Sequence, residues 1–167
     1  MRQRNASRAT RRAREFEAFV AGAAGRLLHA ATLLTAEAPD DNPRARRLLT
    51  LSLARTYACW DRLRGEDPYD RARQYLATRF ARGTWHRYGG LGRCRPHPAS
   101  PLAPLTPRER LILVLRFFEG VGEEQTAALL GLSAERVRAI SHRATTTLVN
   151  RSRNPAPAMP ATKAVPS

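Results

Sequence analysis

Residues 105–148 read LTPRERLILVLRFFEGVGEEQTAALLGLSAERVRAISHRATTTL, and the fold turns on this stretch. Thr106, Pro107 and Glu109 stand in capping-box order. A hydroxyl at the N-cap and a carboxylate three residues on can each satisfy an orphan backbone donor, so a helix starts at about Pro107. Leu111, Val114, Leu115 and Phe118 line one face of it until Gly120 and Gly122 break the pattern. A short helix follows from Glu123 to Leu130, and Gly131 suits its C-cap because glycine accepts a left-handed backbone. Ser133 can cap the next helix, along which Val137, Ile140, Ala144 and Leu148 recur at helical spacing. Arg136, Arg138, His142 and Arg143 fall on its other faces. Two helices meeting at a tight turn, the second basic outside, describe a helix-turn-helix. That motif wants a small residue in its first helix, glycine at the turn and an aliphatic early in the second. Ala127, Gly131 and Val137 meet the requirement, with Thr126, Leu130, Leu132 and Ile140 as further inward positions. The plainer alternative is a helical hairpin with a charged face.

The chain of 167 residues carries a formal net charge of +15, and Lys163 is the single lysine among its 29 basic residues. Such a balance points to a polyanion, because neutralised phosphates release counterions and guanidinium groups bind them in bidentate fashion. An anionic membrane is the competing partner, disfavoured because no run of about 18 apolar residues and no signal-peptide core is evident. Cys59 and Cys94 are too few for a disulfide framework, which suits a reducing cytoplasm. Cys94 and His97 have a ligand-like spacing without a second pair, so no metal site is expected. The four histidines are scattered, no phosphate-binding glycine loop follows a strand pattern, and no cofactor or catalytic constellation is expected.

The first half reads as three helices. Met1 to Arg14 holds six Arg and no acid and is expected to be a disordered basic arm. From Glu15 to about Thr35, Phe16, Phe19, Val20, Ala23, Leu27, Ala31 and Leu34 trace one stripe. Asn42 and Pro43 supply the N-cap and first proline of a second helix, with Leu48, Leu49, Ser52, Leu53, Thr56, Tyr57, Trp60 and Leu63 on one face. Gly65 ends it, and Asp67 with Pro68 opens a third helix whose inward side carries Ala72, Leu76 and Phe80. From Arg71 to Arg95 there are seven Arg and no acid, interleaved with Tyr75, Phe80, Trp85 and Tyr88. Arginines that track phosphates beside aromatic faces that stack on bases suit separated strands. The same aromatics could equally be core residues, with Trp85 covering the end of the bundle. Residues 89–104, GGLGRCRPHPASPLAP, form a Pro- and Gly-rich linker; its span of about 40 Å or more would let two domains reach separated DNA elements. Residues 151–167 lack periodicity and are expected to be disordered. The expected architecture is therefore all-α, with helical domains at 15–88 and 105–150.

LTPRER, the helix ending in RFFEG and EEQTAALLGLSAERVRAISHRA resemble region 4 of the extracytoplasmic-function RNA polymerase sigma factors, and within them the SigE-type actinobacterial group. Response regulators of the LuxR type share the helix-turn-helix. EFEAFV, LLHAATLLT, the run from Tyr57 to Arg62 and the basic helix after Asp67 and Pro68 resemble region 2 of the same group, which separates the two. The resemblance spans about residues 15–150. It implies that region 2 is a three-helix bundle whose second helix docks on the beta-prime clamp of core polymerase through Arg46, Arg47, Leu49, Thr50 and Leu53. It implies minus-10 recognition and melting by Arg73, Arg79, Arg82, Trp85, His86 and Arg87. Region 4 would dock on the beta flap and read minus-35 through Ser133, Ala134, Glu135, Arg136, Arg138, Ser141, His142 and Arg143. An anti-sigma protein is a further possible partner. Where the family usually carries acids and Gln, this chain has Arg46, Arg47, Thr50 and Leu51, which reverses the charge offered to the clamp. Two other readings follow: a sigma-like DNA-binding regulator that no longer joins core polymerase, and an interaction module whose basic surface serves an acidic protein.

Overall fold

The computed structural model describes residues 2–63, 65–85 and 96–153, with the side chains of 2–6, 84 and 85 left aside. Six α-helices and no strands occur among the described residues. They are α1 (Arg2–Thr35), α2 (Pro43–Ala58), α3 (Pro68–Trp85), α4 (Pro107–Leu113), α5 (Glu123–Leu130) and α6 (Ala134–Arg153). A 3-10 turn, Trp60–Arg62, follows α2, and α4 runs on into a π-helical turn, Val114–Phe118.

α1, α2 and α3 form the first bundle around Leu27, Ala31 and Leu34, each at most 1% exposed, with Ala45, Leu48, Ala72 and Leu76 facing them. The expected stripe on α1 is present. At its outer end Phe16 and Phe19 pack on Trp60, with ring centroids 5.1 and 5.4 Å away, and Phe16 also meets Tyr57. The expected disordered arm is instead the first part of α1. Its Ala, Arg and Gln are good helix formers continuous with a packed helix. Arg12 secures the described part, lying over the Tyr57 ring and bonding Asp61 and the Tyr57 carbonyl. Ser7–Thr35 is also long and apolar enough by composition to cross a membrane, contrary to the reading that no such run exists. Its apolar face is the one that α2 and α3 cover.

The second helix starts at Pro43 as expected, but its cap differs from expectation. Asn42 occupies the N-cap position while its side chain turns to Thr32 Oγ1, the Pro39 carbonyl and Arg46 Nε. The N-terminus of α2 is capped by Glu37, whose two carboxylate oxygens accept from the backbone N–H groups of Arg44 and Ala45 at 3.1 and 2.8 Å. Burial pushes the Glu37 carboxyl up. Those two backbone donors, with Thr35 and the Arg44 side chain, outweigh it and hold the group below the usual carboxylate range.

Helices α1–α3 and α4–α6 stand on either side of the linker, as expected, and share part of one apolar core. Ile112 and Leu115 of the second unit are buried in the same apolar core as Leu27 and Ala30 of α1. The described part of the linker, 96–104, is folded: the His97 N–H donates to the Ala36 carbonyl at 2.8 Å, and successive turns bury Ser100 and seat Leu102. Ala36 closes α1 in a left-handed conformation, φ 52°. Arg110 is buried where the units meet; burial first, then the nearby Arg44 charge, pull its guanidinium down to about 10.

Candidate nucleic-acid interface

The second unit assembles as its local signals require. Glu109 Oε2 accepts from the Thr106 N–H at 2.9 Å, while Thr106 Oγ1 accepts from the Glu109 N–H. Gly131 sits at φ 65° and ψ 39°, ending α5 and turning the chain sharply toward α6. Ser133 Oγ then accepts from the Arg136 N–H at 3.2 Å to start α6. Thr126, Ala127, Leu130, Val137 and Ile140 are buried and Leu132 packs against them, so the inward set of the helix-turn-helix is assembled.

On the outer side of α6, Glu135, Arg136, Arg138, His142 and Arg143 are exposed. Two of these cations are aimed by carboxylates of other helices. Arg138 makes a two-pronged contact with Glu123 of α5, 2.8 Å at Nη2 and 3.4 Å at Nε. Arg143 Nε donates to Glu109 Oε1 at 2.9 Å. Glu109 thus divides its oxygens between the cap of α4 and a cation of α6. Burial opposes its ionisation, and the Thr106 and Arg143 donors prevail, holding its carboxyl below the ordinary range. Other expected contacts are partly committed elsewhere: Ala134 packs against the core, and Ser141 Oγ is buried without a hydrogen-bond partner. Ser133 Oγ accepts as a cap and keeps its proton free to give to a phosphate.

Of the residues expected on the first unit, Arg79 and Arg82 are exposed on α3. Arg73 is only 17% exposed in its side chain, bonding Asp70 at 2.9 Å and lying 3.8 Å from Glu119. Trp85 closes α3, while His86, Arg87, Tyr88 and Cys94 lie outside the described residues. Phe80 packs against the core, and the Tyr75 ring is flanked by Arg55 and Arg71 at 5.7 and 5.9 Å. On α2, Arg46, Arg47 and Thr50 are exposed, whereas Leu49 and Leu53 are half-buried against the bundle core. No group of three potential metal ligands occurs among the described residues.

Sequence reasoning missed Glu109 and Glu123 as the groups that aim the α6 arginines. The i to i+34 and i to i+15 separations leave no periodic trace. It also missed Arg26, Tyr69 and Glu119. The Glu119 side chain is 1% exposed, accepts from Tyr69 Oη at 3.0 Å on both oxygens, and lies 3.8 Å from both Arg26 and Arg73. Burial and the Glu119 carboxylate push the Tyr69 phenol well above its ordinary range, so it remains a donor.

A helix-turn-helix with a cationic outer helix thus stands beside a basic three-helix bundle. Residues 102–148 match the family described as Sigma-70, region 4. The RNA polymerase sigma-E factor of Streptomyces coelicolor is 33% identical over 152 residues, covering 78% of this chain and 81% of that protein. The RNA polymerase sigma-E factor of Streptomyces avermitilis is 33% identical over 153 residues, covering 78% and 80%. No solved structure gives a significant match. Since the similarity runs through both helical units and most of each relative, the chain belongs to the RNA polymerase sigma factors of the extracytoplasmic-function, sigma-E type, a non-catalytic family.

Proposed function

We propose that α6 reads the minus-35 element in the major groove, that α3 and the segment after it engage the minus-10 element, and that α2 docks on the beta-prime clamp. The observation that carries this reading is that Arg136, Arg138, His142 and Arg143 are exposed on α6 around an inward face of Val137, Ile140 and Ala144 that is buried. Arg136 has no carboxylate within ion-pair range among the described residues and is the base reader, suited to a guanine edge; Glu135 can accept from a cytosine amine. Arg143, turned toward Glu109, is placed for a phosphate. Arg79 and Arg82 would follow the backbone at minus-10, where Arg73 must first leave Glu119. The beta flap would seat in the apolar cleft lined by Leu113, Phe117 and Leu148, where Phe117 is 68% exposed. An anti-sigma protein would compete for the same surfaces, and the site of action is the cytoplasm, where the polymerase is.

Transcription in vitro with purified core enzyme on a randomised promoter library tests the assignment. Arg136→Ala should change the preferred minus-35 sequence at one position, by about 1–3 kcal/mol of discrimination. Arg143→Ala should weaken binding on all sequences alike and lower the salt slope by about one. Equal, sequence-independent losses for both would refute it. A second reading, a DNA-binding regulator detached from the polymerase, is favoured by the exposed Arg46 and Arg47 on the face expected to meet the clamp. Absence of stoichiometric association with core would select it.

A further inference from the structure

The outer end of α1 carries charge that the bundle does not use. Arg2, Arg4, Arg8, Arg11, Arg12 and Arg14 all precede the first acid of the chain, Glu15. Arg12 is spent on the fold: its guanidinium lies 4.3 Å from the centre of the Tyr57 ring, donates to Asp61 Oδ2 at 3.1 Å and reaches the Tyr57 carbonyl. One turn further on, Phe16 packs on Tyr57 and Trp60 with ring centroids 4.8 and 5.1 Å away. Together these contacts fix the direction in which α1 leaves the bundle. The helix then continues without a break, and residues 7–11 are all exposed.

Arg8, Arg11 and Arg14 are exposed on this stretch. Among the described residues, Arg8 and Arg14 have no carboxylate in ion-pair range. Arg11 has Glu15 at 3.8 Å, but its side chain is 73% exposed, so water screens the pair and leaves the guanidinium available. At a rise of about 1.5 Å per residue the three arginines cover about 9 Å of helix axis. One strand of a DNA duplex carries a charge about every 3.4 Å along its axis, so that length meets two or three phosphates. Residues 1–14 contain no aromatic side chain to stack on unpaired bases, which favours duplex over separated strands. A protein partner would want an aromatic or large apolar anchor, and between Ser7 and Arg14 the apolar residues are alanines.

We infer that the first turns of α1 are a further DNA contact, a helical arm that lays Arg8, Arg11 and Arg14 on the phosphate backbone of a duplex without reading its sequence. The inference takes its partner from the promoter reading given above. Because the arm is already helical and rooted by Arg12 and Phe16, binding does not have to order it first, and its charges add to those of α3 and α6.

Anisotropy titration of a fluorescein-labelled, mixed-sequence duplex with the full chain, from about 50 to 200 mM salt, tests the assignment. Arg8→Gln, Arg11→Gln and Arg14→Gln combined should lower the slope of log affinity against log salt by about 2–3, at about 0.9 per phosphate, with helix content by circular dichroism unchanged. The matching triple change to Lys keeps the charge and should keep the slope. If the Gln triple loses helix content, Arg8→Gln and Arg14→Gln made singly should each lower the slope by about one. A folded Gln triple with the parent slope overturns the proposal, as does a Lys triple that loses as much as the Gln triple. Weakened association of the Gln triple with purified core polymerase at an unchanged DNA slope would assign the arm to an acidic protein surface and also overturns it. Where Arg143→Ala lowers the slope and the Gln triple does not, the arm alone is struck; a parent chain whose binding does not depend on salt strikes the promoter reading with it.

Discussion

Glu109→Ala and Glu109→Gln separate two functions that the structure assigns to two oxygens of one carboxylate. Oε2 accepts from the Thr106 N–H and hydroxyl at 2.9 and 2.8 Å, and Oε1 accepts from Arg143 at 2.9 Å. Alanine removes both. Loss of the reciprocal cap at the start of α4 costs about 1 kcal/mol. A Thr106 N–H left without its acceptor adds about 1 kcal/mol. The Arg143 pair adds only about 0.3 kcal/mol, because that side chain is 67% exposed and the attraction is screened. The sum of about 2 kcal/mol corresponds to roughly 4–8 °C in Tm for a chain of this length. Glutamine keeps an acceptor for the Thr106 N–H but turns its NH2 toward the Arg143 donor, so it loses the weak Arg143 pair along with the charge, and its Tm should fall by about 2 °C or less. The pH dependence has a definite sign. The folded Glu109 carboxyl titrates below its ordinary value of 4.5, so its contribution is fully present above that pH and is lost as pH falls through the lower folded value. Melting followed by circular dichroism from pH 7 to pH 3 should therefore show the gap between the parent chain and Glu109→Gln closing in the acid range. Equal destabilisation by Ala and Gln, or a gap that persists to pH 3, would refute the division of labour.

Gly131→Ala meets no atom within 4 Å of the added Cβ, so its cost is the left-handed backbone alone, about 1–2 kcal/mol by urea denaturation with an unchanged m-value. Leu27→Ala empties a fully buried position on α1 and should cost about 2–5 kcal/mol in the same assay. Glu37→Ala uncaps α2 and should cost about 1–2 kcal/mol at pH 7. Because the folded Glu37 carboxyl is also held below 4.5, that difference should shrink as the pH is lowered through the acid range, measured by melting.

The sequence made legible whatever is decided within a few residues. The capping box at Thr106 and Glu109, the left-handed Gly131, the Ser133 cap and the stripe on α1 follow from local chemistry and helical period, and all four are present. Legibility fails where the deciding partner is remote or competes. Asn42 has the residue type and place of a side-chain cap, yet Glu37 reaches both N–H groups first and leaves the amide for Thr32 and Pro39. A period of 3.6 marks Phe118 as inward but does not sense the extra residue of the π turn, which alone brings Glu119 round to Tyr69, 50 residues earlier in the chain.

The same limit explains why the linker does not reveal the apolar contacts that the two units share. Its proline and glycine content sets what the linker permits, an extended span, not what the lobes prefer. A helical unit of about 46 residues is close to the size at which a chain struggles to bury enough apolar surface alone. Ile112 at 0% and Leu115 at 2% exposure are covered because α1 lies over them beside α6 and α5. Separating the two units would therefore expose Ile112 and Leu115 to water, which costs apolar burial.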